Sequence, residues 1–103
     1  MRRKFAVALN SSSVEQNEKF KKFINENGLG WWHWIENFWL LTDPKGKFTA
    51  SDIRDKLNEI FPKVRCIVLS IDNEENSWSG YGPTSEKKNM FNWIRDSWDK
   101  DLD

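Results

Sequence analysis

A chain of 103 residues with 38% apolar and 31% charged side chains has material for one hydrophobic core, and is read as a single domain over residues 1–103. Its sixteen basic and sixteen acidic residues cancel, so it lacks the global positive field that suits long nucleic acid. The lone Cys66 has no internal disulfide partner, no Cys/His cluster has zinc spacing, and no stretch of about 18 apolar residues occurs, so the expectation is a cytoplasmic protein with no export signal and no membrane span.

Seven tryptophans stand out, because a ring of that size with an N–H to satisfy is costly to hide. Some of them are expected to meet a ligand or another chain.

In chain order, Lys4 to Asn10 alternates large and small apolar residues, predicting a strand with Phe5, Val7 and Leu9 in the core and Ala6 and Ala8 on the other face. Ser11, Ser12 and Ser13 offer N-caps with Glu15 and Gln16 as capping-box partners, so a helix is predicted from about Val14. Phe20, Phe23 and Ile24 form its stripe, and Gly28 and Gly30 end it. The aromatic block from Trp31 to Thr42 is too long for one strand and breaks at Glu36-Asn37, predicting a hairpin of strands over 31–36 and 38–42. Asp43 to Lys47 reads as a turn, and Thr49 caps a second helix with a Phe48/Ile53 staple. Ile53, Leu57, Ile60 and Phe61 share its apolar face, and Pro62 stops it. Val64 to Asp72 is nearly continuous apolar sequence, predicting a strand covered on both faces. Beyond the polar loop, Phe91, Ile94 and Trp98 repeat at helical spacing, and Asp99 to Asp103 forms an acidic tail.

This order predicts an α+β fold of the ferredoxin-like βαββαβ kind: one antiparallel sheet, helices on one face, and an added C-terminal helix. Alternation sets Trp31, His33 and Ile35 on one face of the second strand, with Trp32 and Trp34 on the other. The face turned away from the helices is where a dimer partner or ligand is expected.

Two constellations carry candidate chemistry. In the loop from Asn76 to Ser85, the glycines free backbone N–H groups to approach an anion, Ser79 and Thr84 offer hydroxyls, and Trp78 and Tyr81 offer rings for stacking on bases. The same loop also reads as a glycine turn whose Trp78 covers the sheet edge. His33 between Trp32 and Trp34 reads as a ligand wall, the imidazole donating to a phosphate or base edge, or alternatively as a half-buried strand histidine or dimer-interface residue. Asn10 and Ser11 lie where a helix N-terminus favours anions, although serines there also serve simply as caps. No nucleophile motif occurs and no cofactor is expected. The acidic end Asp72, Glu74 and Glu75 is the one weak metal candidate, so no metal site is assigned.

Trp31-Trp32-His33-Trp34, Trp39, the helix Thr49 to Leu57 and Trp78-Ser79-Gly80-Tyr81 together resemble the small SinR-like proteins, distant relatives of the CRISPR adaptation endonuclease subunit with a dimeric ferredoxin-like fold. Members of that group commonly end the first strand in tyrosine-aspartate-leucine-asparagine, and in the nuclease-like relatives that aspartate is thought to hold the metal. Here the stretch is Val7-Ala8-Leu9-Asn10, and the methyl group of Ala8 ligates no cation. More loosely, the chain is similar in kind to phage anti-CBASS sponges, which sequester cyclic dinucleotide and oligonucleotide signals. The resemblances together imply a non-catalytic homodimer, in host cytoplasm if phage-encoded, that sequesters a small nucleotide such as a cyclic dinucleotide. Its bases would stack on Trp78, Tyr81 and one tryptophan of the second strand, and its phosphates would meet Ser11, Ser79, Thr84 and nearby backbone amides. The alternatives are a nuclease whose metal is placed by Asp72 or Glu36, and a structural or antitoxin-like dimer whose aromatics are interface.

Overall fold

The computed structural model describes residues 2–71 and 92–98. The elements are β1 (Arg3–Leu9), α1 (Val14–Glu26), β2 (Gly30–Ile35), β3 (Phe38–Asp43), α2 (Ala50–Ile60), β4 (Cys66–Ser70) and a short π-helical turn, Ile94–Trp98. The four strands form one antiparallel sheet in the order β2-β3-β1-β4. Since β1 and β2 are each antiparallel to β3 between them, they run parallel to one another, joined over the sheet by α1.

Both helices start where their side chains satisfy orphan N–H groups. Ser13 Oγ accepts from Gln16 N at 3.2 Å while Gln16 Oε1 accepts from Ser13 N at 2.9 Å. Thr49 and Asp52 make the same reciprocal pair at 3.1 and 2.9 Å, each box being worth about 1 kcal/mol. The first helix ends at Gly28, whose φ of +69° is left-handed backbone open to glycine at no steric cost, and Leu29 N returns to Ile24 O at 3.0 Å.

The main core lies between α1, α2 and one face of the sheet. Phe5, Val7 and Leu9 of β1 and Trp39 and Leu41 of β3 meet Phe20, Ile24, Ile53 and Leu57, all buried, each contributing on the order of 1.5–3 kcal/mol. The strip expected from β1 and the two helical stripes are therefore the ones that pack.

The outer face departs from expectation in three ways. It is not bare: Trp93, Ile94 and Trp98 return across it and bury Trp32 in a second cluster with Phe38, Leu40 and Ile71. Lys4 reaches this face too, its Nζ 3.0 Å from Trp98 O and 4.7 Å from the Trp98 ring centroid. Strict alternation along β2 also fails, because a bulge between Trp32 and Ile35 sets both opposite outer-face residues of β3, Leu40 and Phe38. And β4 is not covered on both faces. As an edge strand it half-buries Cys66 and Val68 towards the helices and leaves Ile67 54% and Leu69 50% exposed on the other side.

Candidate functional site

The bulge in β2 organises the candidate site. Trp31 and His33 turn inward against Trp39, with Trp31 centred 5.8 Å from it and the His33 ring stacked at 3.7 Å and within 4° of parallel. Trp34, the extra residue of the bulge, stands 42% exposed. Lys21 of α1 flanks this edge, its ammonium 5.4 Å from the Trp31 ring and 3.4 Å from Glu18. From the outer face comes Trp93. Together Lys21, Trp31, Trp32, His33, Trp34 and Trp93 line an open cleft of about 410 Å³, large enough for a small ligand.

The chemistry of this cleft is aromatic with one cation. Trp34 offers an accessible ring, Trp31 is half-buried, and a stacked base is worth about 1–3 kcal/mol per ring. The Lys21 ammonium makes only a surface ion pair with Glu18, of the kind worth about 0–1 kcal/mol, so an anion entering the cleft competes for it at small cost.

His33 has a narrower role than the sequence suggests. Its Nε2 lies 2.7 Å from Glu36 O, and a carbonyl only accepts, so Nε2 carries the proton and donates it to the hairpin's own backbone. With one ring face on Trp39 and Nε2 engaged, Nδ1 is the atom left for a ligand. Trp32, 4% exposed, belongs to the outer-face cluster and lends the cleft only its margin.

Of the other residues expected to bind, Asn10 and Ser11 lie away from the cleft. Asn10 Oδ1 accepts from Arg65 N at 2.8 Å, which ties the β1–α1 junction to the start of β4. Asn10 follows β1, two strand spacings of about 4.8 Å from β2, and neither it nor Ser11 lines the cleft, although Leu9 N beside it donates to Asn37 O of the hairpin turn at 2.8 Å. Trp78, Ser79, Tyr81 and Thr84 lie outside the described residues, as does Asp72. Sequence reasoning passed over Lys21 and Trp93, and counted Trp31 only as one of the second-strand tryptophans of which one would stack. Lys21 directly follows the core residue Phe20, and that flank position was the one available sign that it borders the neighbouring strand.

Among the described residues, no three His, Cys, Asp or Glu side chains gather as a metal would require, and no helix is long and apolar enough to cross a membrane. Ala8 pairs with Phe38 and Ile67 on the outer face, and Glu36 is exposed at the hairpin turn. Compared with protein-family models, curated proteins and solved structures, the chain finds no match.

Proposed function

We propose that this chain binds and sequesters a small nucleotide, of the cyclic dinucleotide or short oligonucleotide class, without turning it over. The observation that carries the reading is the β2-edge cleft, where Trp31, Trp34 and Trp93 stand within reach of one lysine. Such a cleft suits a planar, anionic molecule, with rings for the bases and an ammonium for a phosphate. We also read the fold as ferredoxin-like, a reading supported by the order β2-β3-β1-β4, in which each βαβ half spans a strand of the other. A SinR-like or sponge-like ancestry and a place in host cytoplasm belong to the same proposal.

The test is a panel of cyclic dinucleotides and short cyclic oligonucleotides mixed with the protein, followed by tryptophan fluorescence and melting temperature. Binding should quench fluorescence and raise the melting temperature, and mass analysis after heat denaturation should recover the ligand intact. Trp34→Ala should weaken binding about five- to hundredfold with the fold unchanged, since one stacked base is worth about 1–3 kcal/mol. No response to any member of the panel would sink the binding reading. Cleaved ligand, formed only with magnesium or manganese, would replace it with the nuclease reading.

A further inference from the structure

The two edges of the sheet are built differently. β2 is interrupted by its bulge and crowded by tryptophans, one of the ways a natural sheet closes an edge to further pairing. Among the described residues β4 has no such guard. Cys-Ile-Val-Leu-Ser contains no charge and no proline, and its register with β1 runs unbroken from Phe5 opposite Ser70 to Leu9 opposite Cys66. Uncharged, regular and apolar, such an edge is a template for another strand.

Its hydrogen bonding has a definite polarity. Ile71 N donates to Lys4 O at 2.9 Å, Asn10 N donates to Arg65 O at 3.0 Å, and Arg65 N is held by Asn10 Oδ1. The odd-numbered residues therefore turn their backbone groups towards β1. By the alternation of an antiparallel ladder, Cys66, Val68 and Ser70 turn theirs outward. Among the described residues no strand lies beyond β4 to receive them. On the outer face the half-exposed Ile67 and Leu69 stand beside Ala8 and Ala6, whose short side chains do nothing to cover them.

We propose that a second copy of this chain pairs along this edge, β4 antiparallel to β4, about a two-fold axis normal to the sheet at Val68. Such an axis keeps every side chain on its own face, so a residue must lie opposite itself or one an even number of positions away. Centred on Val68, all the outward groups meet: Cys66 faces the partner's Ser70, Val68 the partner's Val68, and Ser70 the partner's Cys66. Centred on Ile67, Ser70 would instead face the partner's Val64, whose N–H is already bonded to Phe61 O at 3.2 Å in each copy. Centred on Leu69, Cys66 would face a position beyond the end of β4.

Side chains and charge favour the same arrangement. Ile67 meets the partner's Leu69 and Leu69 meets the partner's Ile67, which joins the half-exposed residues of both copies into one apolar cluster. Lys63 and Arg65 precede β4 in the sequence, so antiparallel pairing keeps the basic ends of the two copies apart. Parallel pairing would set like charges together. A contact of this size belongs to the small, concentration-dependent class of interfaces. It is independent of the nucleotide reading.

Sedimentation velocity of the full chain over the micromolar range, without nucleotide, tests it. The mass should rise towards twice the monomer value with concentration, and Leu69→Lys should weaken association at least tenfold while circular dichroism and melting temperature stay unchanged. In a Cys66→Ser background, Ile67→Cys combined with Leu69→Cys should cross-link the dimer on oxidation, whereas Ile67→Cys alone should not. A chain that stays monomeric throughout overturns the proposal. So does a dimer that survives Leu69→Lys, or one cross-linked by Ile67→Cys alone, which would require the other register.

Discussion

Trp39 offers the sharpest test of how the core and the aromatic edge are coupled. It is fully buried, centred 4.9 Å from Phe20 in an edge-to-face contact and stacked on His33, and it also touches Trp31, so it joins the core to the cleft wall. Its Nε1 is nevertheless buried without a hydrogen-bond partner. Trp39→Ala removes the whole contact set and should cost about 3–5 kcal/mol, a large part of the roughly 5–15 kcal/mol typical of a domain. Trp39→Phe is a different perturbation. The volume lost, roughly 40 Å³, costs about 1 kcal/mol at ~24 cal/mol per Å³ of cavity. Removing the orphan N–H returns a desolvation penalty of about 1–3 kcal/mol. The second term equals or exceeds the first, so Trp39→Phe should be as stable as the parent or up to about 2 kcal/mol more stable. Urea unfolding followed by far-ultraviolet circular dichroism measures both variants, the other tryptophans making fluorescence ambiguous. If Trp39→Phe is destabilised by about 1 kcal/mol or more, the orphan N–H carries no penalty and the reasoning fails.

Three further outcomes follow from the same geometry. A Cβ added at Gly30 would collide with Thr42 Oγ1 across the hairpin, so Gly30→Ala should cost about 1–3 kcal/mol, and Thr42→Ala in the same chain should recover much of it; thermal melts of the three variants check this, and a double variant no better than Gly30→Ala refutes the collision. Asn10→Ala removes the acceptor for Arg65 N and should lower stability by about 1 kcal/mol in urea titration, yet leave nucleotide-induced quenching unchanged because Asn10 does not line the cleft; weakened binding at unchanged stability would place Asn10 in the site. Lys4→Met keeps the apolar stem but removes the ammonium that holds Trp98, so amides of the Ile94–Trp98 turn should exchange faster with solvent while those of α1 keep their protection; equal acceleration in both would show that Lys4 supports the whole fold.

Local chemistry made part of this legible. Ser13 and Thr49 cap because a hydroxyl three residues from Gln16 or Asp52 satisfies orphan N–H groups wherever the helix sits, and Phe5, Val7 and Leu9 alternate into the core because a strand's period allows nothing else. The tryptophan block likewise announced an edge rich in rings. Which rings remain available was not legible, because that depends on the bulge between Trp32 and Ile35 and on a return of the chain across the outer face from some sixty residues away. Trp32 therefore joined a second core, Asn10 became a tie to β4, and Lys21 entered the cleft.

The apolar run around Val68 shows the same division. Composition alone said that Val64 to Asp72 would be strand, and it is, over a shorter length. Whether such a strand lies in the middle or at the edge is a property of sheet order, set by how β1 and β3 pair over long sequence separations. The sequence by itself determined the elements, their caps and the apolar residues available for burial, since these depend on neighbours a few positions apart. Only the tertiary structure decided that β2 closes one edge with a tryptophan cleft while, among the described residues, no strand pairs beyond β4 at the other, because edges, cavities and covered faces arise from contacts between distant segments.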